Sequence, residues 1–115
     1  MRAIKTFNVE AGFPTLEEAR RLVIDEIKQA KLAGAKVLKV VHGYGSSGKG
    51  GSLCVGLRKS FGLRKKELVI RDFIPGEDFT IFNPTTLNLL EAAPEMRADC
   101  DLGATNEGVT IVWLK

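Results

Sequence analysis

The chain's only histidine, His42, closes an apolar run, Val37-Leu38-Lys39-Val40-Val41, and is followed at once by Gly43-Tyr44-Gly45-Ser46-Ser47-Gly48-Lys49-Gly50-Gly51-Ser52. Those residue types in that order suit phosphate chemistry. Glycines allow positive φ and let a ligand approach the main chain, and a helix opening after the loop would turn unpaired N–H groups and its positive dipole end toward an anion. Lys49 adds a charge inside the loop, and Tyr44 offers a ring on which an unpaired base could stack. His42 has two roles open to it. It can contact phosphate or act as general acid or base beside Glu10, provided that the two strand ends are neighbours, or it can cap the loop by bonding to the backbone.

The charge pattern widens the ligand from one phosphate to a polyanion. No Asp or Glu occurs from Ile27 to Lys66, a stretch holding Lys28, Lys31, Lys36, Lys39, Lys49, Arg58, Lys59, Arg64, Lys65 and Lys66. From Glu67 onward nine acids face only Arg71, Arg97 and Lys115, so the formal net charge of +3 conceals a polarised chain. Such a basic block fits DNA or RNA, and it also fits a solvated helix face without a partner.

The elements that must position these residues follow from periodicity. Ala3 to Val9 reads as a strand. Thr15-Leu16-Glu17-Glu18 has capping-box spacing, and Leu16, Ala19, Val23, Ile27 and Ala30 recur at helical intervals up to a stop at Gly34. Lys36 to Val41 is a second strand, which makes a parallel, right-handed βαβ unit and puts the loop at the carboxyl end of a strand, where α/β sheets bind ligands. A second helix is expected from Gly51 or Ser52 to Gly62, with Cys54, Leu57 and Phe61 inward and Arg58 and Lys59 on the exposed flank. Leu68 to Phe73 and Gly108 to Leu114 complete a mixed four-stranded sheet. Between them lies an excursion over about residues 75–102: a Pro75-Gly76 turn, a short Phe79 to Phe82 strand, and a helix begun by Asn83-Pro84 and carried by Leu87, Leu89 and Leu90. Its expected uses are to cover the sheet, to make a homodimer contact or to shape a groove.

At 115 residues, with 44% hydrophobic side chains, the chain has material for one domain and one ordinary core, spanning residues 1–115. The opening Met1-Arg2-Ala3-Ile4-Lys5-Thr6 lacks the apolar stretch of a signal peptide, and no window has the length of a membrane span, so a cytoplasmic protein without a membrane partner is expected. Cys54 and Cys100 have neither CxxC spacing nor companion histidines, so they are expected as buried thiols without zinc. Glu95, Asp99 and Asp101 lack regular ligand spacing, and Trp113 is expected in the core. No metal site or cofactor is called for.

Gly43, Gly45 and Gly48 match G-x-G-x-x-G, but a dinucleotide fold wants that pattern after its first strand and in a larger sheet. Gly43 to Lys49 approaches a P-loop, yet Gly50 stands where the metal-binding hydroxyl belongs. A fuller correspondence lies elsewhere. The order of strand, Thr-Leu-Glu-Glu-Ala helix, Ala-Gly-Ala-Lys-Val-Leu-Lys-Val-Val-His-Gly-Tyr-Gly, basic helix and final Gly108-Val109-Thr110-Ile111-Val112 strand resembles the small MutS-related (Smr) domain family. His42, Gly43, Tyr44 and Gly45 match its His-Gly-x-Gly signature. The resemblance implies a two-layer α/β sandwich in βαβαββ order, binding of DNA or RNA, and often endonuclease activity.

The resemblance breaks at the first strand. There the family's Leu-Asp-x-His, linked to its nuclease activity, is replaced by Phe7-Asn8-Val9-Glu10. Three functions therefore stand open. The first is a nucleic-acid-binding domain contacting the phosphate backbone through His42, Gly43, Tyr44, Gly45 and Lys49 and through Arg58, Lys59, Arg64, Lys65 and Lys66 on the basic helix. The second is an endonuclease using Glu10 and His42, with a divalent metal as its one conceivable cofactor. The third is an assembly or regulatory domain that binds a small anion.

Overall fold

A computed structural model describes residues 3–12, 14–43 and 49–115, with Lys49 to Gly51 as backbone only. Strand β1 (Ile4–Asn8) leads into helix α1 (Leu16–Leu32), strand β2 (Val37–Val41), helix α2 (Lys49–Lys66), strand β3 (Ile70–Pro75), helix α3 (Pro84–Ala92) and strand β4 (Val109–Leu114). The start of α1 is set by the capping box read from the sequence: Thr15 Oγ1 accepts from the Glu18 N–H at 3.2 Å, and Glu18 Oε1 accepts from the Thr15 N–H at 3.0 Å. Two otherwise unpaired donors are satisfied in one exchange.

The sheet runs β1-β2-β4-β3. β1 and β2 are parallel, with Ile4 opposite Val37 and Asn8 opposite Val41; β4 is antiparallel to both β2 and β3. Strand alternation divides the core in two. Leu38 and Val40 of β2, with Val112 and Leu114 of β4, face Ala19, Val23, Ile27 and Ala30 of α1 and Leu53, Leu57 and Phe61 of α2. Val37 and Ile111 face the other way, against Phe79, Leu89, Leu90, Ala93 and Met96. The expected sandwich of sheet and helices is present, and the excursion covers the sheet's second face. Among the described residues no helix is long and apolar enough to cross a membrane.

Several sequence expectations are corrected here. The Phe79 to Phe82 strand is a turn, because Gly76–Asp78 forms a 3-10 turn and buried Phe79 drives into the sheet face, which draws the chain over the face and away from an edge. Leu89 and Leu90 are buried against the chain's own sheet, so the homodimer contact expected of this segment finds no support. Gly62 does not end α2. Cys100 is exposed, and Trp113 is half-buried with the Arg71 guanidinium 5.5 Å from its ring centroid.

Lys39, one of the ten bases of the stretch without acids, is a buried cation. It shares the Val37 face, is 7% exposed, and its ammonium lies 3.0 Å from Asp99 Oδ1 and against Asp101 Oδ2. Asn106 Nδ2 donates to Asp101 Oδ1 at 2.9 Å. Burial alone would raise the Asp101 carboxyl, but Lys39 and Asn106 outweigh it and hold the group below its ordinary range. Asp99, Cys100 and Asp101 bring donor atoms within 4.8 Å of one another. The position between the two carboxylates is taken by the lysine.

Helices α1 and α2 stop in the same way with different residues. At the end of α1, Gly34 N–H donates to Lys31 O and Ala35 N–H to Ala30 O; at the end of α2, Leu68 N–H donates to Lys65 O and Val69 N–H to Arg64 O. The pivot of this Schellman motif lies at positive φ, 81° for Gly34 and 61° for Leu68. Glycine accepts that conformation freely, whereas a side chain costs about 1–2 kcal/mol. Leu68 is 67% exposed, so packing returns little. Leu68→Gly should therefore raise the unfolding free energy by up to about 1 kcal/mol after the added freedom of the unfolded chain is subtracted. A higher urea midpoint at unchanged slope is the expected reading, and a lower one would show that Leu68 supports the fold.

Candidate functional site

The carboxyl ends of β1, β2 and β3 and the amino end of β4 converge beside the start of α2. β2 hands its chain to β4 here: the backbone N–H groups of His42 and Gly43 both donate to Gly108 O at 3.0 Å. Parity sets the next step. His42 follows Leu38 and Val40 on the helix-facing side of the sheet, so its ring is carried under α2 and is fully buried.

Both ring nitrogens are bonded there. Nδ1 lies 2.7 Å from Gly43 O, a pure acceptor, so the proton is placed on Nδ1. Nε2 lies 2.8 Å from Thr110 Oγ1, which in turn accepts from Arg58 Nε at 3.1 Å. The Thr110 hydroxyl thus receives from Arg58 and donates to the imidazole. Arg58 completes the chain with a two-pronged ion pair, Nη1 and Nη2 each 2.7 Å from a Glu77 carboxylate oxygen, and Nη2 also donates to Val109 O at 3.1 Å.

Burial is the main reason that the His42 pKa falls below the ordinary imidazole value, with Arg58 adding to it, while the Gly43 bond and the Glu77 and Glu10 charges oppose. Burial would raise Glu77, but the Arg58 fork prevails and lowers it. The histidine is therefore neutral and structural at neutral pH. Contact of its ring with a ligand, or proton transfer through it, requires breaking one of these two bonds.

Glu10 comes to the same place from β1. Asn8 Oδ1 accepts from the Glu10 and Ala11 N–H groups at 3.0 and 3.2 Å, a turn that ends the strand and leaves Glu10 exposed. Its carboxylate lies directly over Gly43. A Cβ on Gly43 would collide with it, and Gly43 has φ +74°, so glycine is required twice over. The adjacency of the two strand ends assumed in pairing Glu10 with His42 is thus present.

The predicted binding residues are only partly gathered. Tyr44 and Gly45 lie outside the described residues, as does the side chain of Lys49. Arg58 was expected on the exposed flank of α2 and is instead turned inward, held by Glu77 and Thr110. Arg64 pairs with Glu67 at 2.8 Å and Lys65 with Asp72 at 3.2 Å. Lys59 and Lys66 remain exposed, and neither has an ion-pair partner among the described residues. They stand seven residues apart, two helical turns, on one ridge of α2. Thr110 and Glu77 were missed. The strand parity that places Thr110 on the His42 side was legible, whereas Glu77 lies in a 3-10 turn with no sequence period to mark it.

No family model matches the chain, and no curated protein matches it in sequence. Among solved structures the Smr domain of Thermus thermophilus MutS2 is similar, with a TM-score of 0.60 at 22% identity over 96% of this chain and 98% of that one. The chain has an Smr-like fold, as the sequence resemblance implied.

The buried histidine makes stability depend on pH in a defined direction. Its folded pKa is lowered, so its contribution is present above the ordinary imidazole value and is lost as pH falls through the folded one. Urea unfolding from about pH 7.5 to about pH 5.5 should show falling stability. The slope should flatten in His42→Gln, and an unchanged slope in that variant would assign the titration elsewhere.

Proposed function

We propose that the chain binds nucleic acid through its phosphate backbone, along the exposed ridge of α2 and toward the glycine-rich sequence that precedes it. The supporting observation is the exposed pair Lys59 and Lys66, without ion-pair partners among the described residues, on the helix that begins six residues after Gly43. The first turn of α2 carries no acid, and the positive end of a helix favours anions. The Smr-like fold and the His-Gly-x-Gly match support the same reading.

The length of α2 suggests how such a ligand would lie. The seven residues between Lys59 and Lys66 correspond to about 10 Å, three base steps of a duplex strand. From Lys49 to Lys66 the helix runs about 26 Å, so a strand reaching both ends follows the helix axis. These contacts carry no base information, and recognition rests on charge and shape. With Arg58 committed to Glu77 and His42 buried, both organise the site from beneath without touching the ligand.

Lys59→Gln with Lys66→Gln should weaken binding to every duplex and single strand alike and reduce the slope of log affinity against log salt by about 2. Fluorescence titrations of DNA and RNA across a salt series provide the measurement. A slope equal to that of the unaltered chain would place the interface elsewhere.

A second reading, phosphodiester cleavage, rests on Glu10, the exposed carboxylate held over Gly43 at the end of the proposed backbone path. As an exposed proton acceptor it is better placed than His42, whose nitrogens are already bonded. Labelled RNA and DNA, incubated with and without magnesium or manganese, should be cut by the unaltered chain and survive with Glu10→Gln. Intact substrate with both proteins would leave binding as the whole function, and equal cutting by both would remove Glu10 from it.

A further inference from the structure

We propose that the end of the helical layer farthest from His42 is a docking site for an acidic segment of a partner protein carrying apolar side chains. Lys31 Nζ donates to Val69 O at 3.0 Å, which ties the last turn of α1 to the chain leaving α2. The residues beside those two, Leu32 and Leu68, thereby emerge at the same end. Leu32 is 83% exposed and Leu68 is 67% exposed. Lys28 lies one turn before Leu32 on the same face of α1, and Lys65 and Lys66 precede Leu68.

Leu68 is the informative member. Gly34 fills the equivalent place at the end of α1 without strain, so this fold already contains the residue that its helix stop prefers. At Leu68 the chain accepts a left-handed backbone and exposes an apolar side chain to water. Neither choice serves folding. Lysines at helix ends are explained by the helix dipole, but the dipole gives no reason for leucines among them.

The rim chooses the partner's charge. Lys28 and Lys66 have no acidic partner among the described residues, and the acids at this end, Glu67 and Asp72, are already engaged by Arg64 and Lys65. Leucines ringed by cations match a segment in which Leu, Ile or Phe anchors sit among Asp and Glu, the anchors supplying affinity and the rim specificity. A phosphate backbone offers nothing to the leucines, so although Lys66 borders both surfaces, Leu32, Leu68 and Lys28 distinguish this one from the ridge marked by Lys59.

The test selects a random-peptide display library on the full chain. Enriched peptides should be net acidic with large apolar residues, and their synthetic forms should bind in fluorescence anisotropy. Leu32→Ser with Leu68→Gly should weaken that binding by about tenfold or more, with folding and nucleic-acid affinity retained. The proposal is overturned by an absence of enriched peptides, by enriched peptides that are neutral or basic, or by equal binding to the double variant. Two further outcomes also overturn it: retention on phosphatidylserine vesicles without peptide binding, which assigns the patch to lipid, and a concentration-dependent gain in mass abolished by the same substitutions, which assigns it to a second copy.

Discussion

The Arg58 guanidinium is the constraint on which the loop-bearing end of this domain depends. It lies between α2, the 3-10 turn after β3 and the first residues of β4, and it donates to Thr110 Oγ1, both oxygens of Glu77 and Val109 O. Each acceptor is half-buried or buried, and an unpaired polar group there costs about 1–3 kcal/mol. Removing the guanidinium would leave several in that condition at once, together with the charge of Glu77. Its influence reaches further than its contacts. By fixing the Thr110 hydroxyl, Arg58 selects the imidazole tautomer that holds Gly43 O, and so it fixes the last described residue before α2.

On the opposite face of the sheet Lys39 plays the corresponding part for the excursion, and the two sites together explain the charge pattern of the chain. Arg58–Glu77, Lys39–Asp99, Lys39–Asp101, Arg64–Glu67 and Lys65–Asp72 all join the basic stretch before Glu67 to the acidic stretch from Glu67 onward. Much of the polarity read as a request for an external polyanion is thus satisfied inside the fold. Buried pairs of this kind do not by themselves imply high stability, because desolvation opposes the attraction. They do tie elements together, α2 to the turn after β3 through Arg58 and β2 to the excursion through Lys39. The positive surface left over is narrower than the sequence implies, with Lys59 and Lys66 of α2 among the exposed cations that have no ion-pair partner among the described residues.

The βαβ unit was legible because its signals are local: a capping box, a helical stripe ending at Gly34, and alternation in β2. The end of α2 was misread because Gly62 resembles a stop by type, whereas the actual pivot is Leu68, a residue that no compositional rule would choose. The excursion was legible as a helix with an Asn83 cap and not as a strand, since burial of Phe79 is decided by a sheet face built from distant residues. In the site, the adjacency of Glu10 and His42 followed from parallel pairing. The inward turn of Arg58 did not, because its partners lie 19 and 52 residues away in sequence.

The altered first strand also has a physical explanation. Asn8 serves as an acceptor for two backbone amides, and an amide oxygen performs that task without a charge. The turn is kept, and with it the placement of Glu10 over Gly43. Yet a carboxylate at that point repels the anion that the positive end of α2 attracts. The two effects are resolved by distance. On the proposed backbone path, Glu10 would hold a phosphate off Gly43 and set one boundary, and the site would read an extended strand better than a free phosphate.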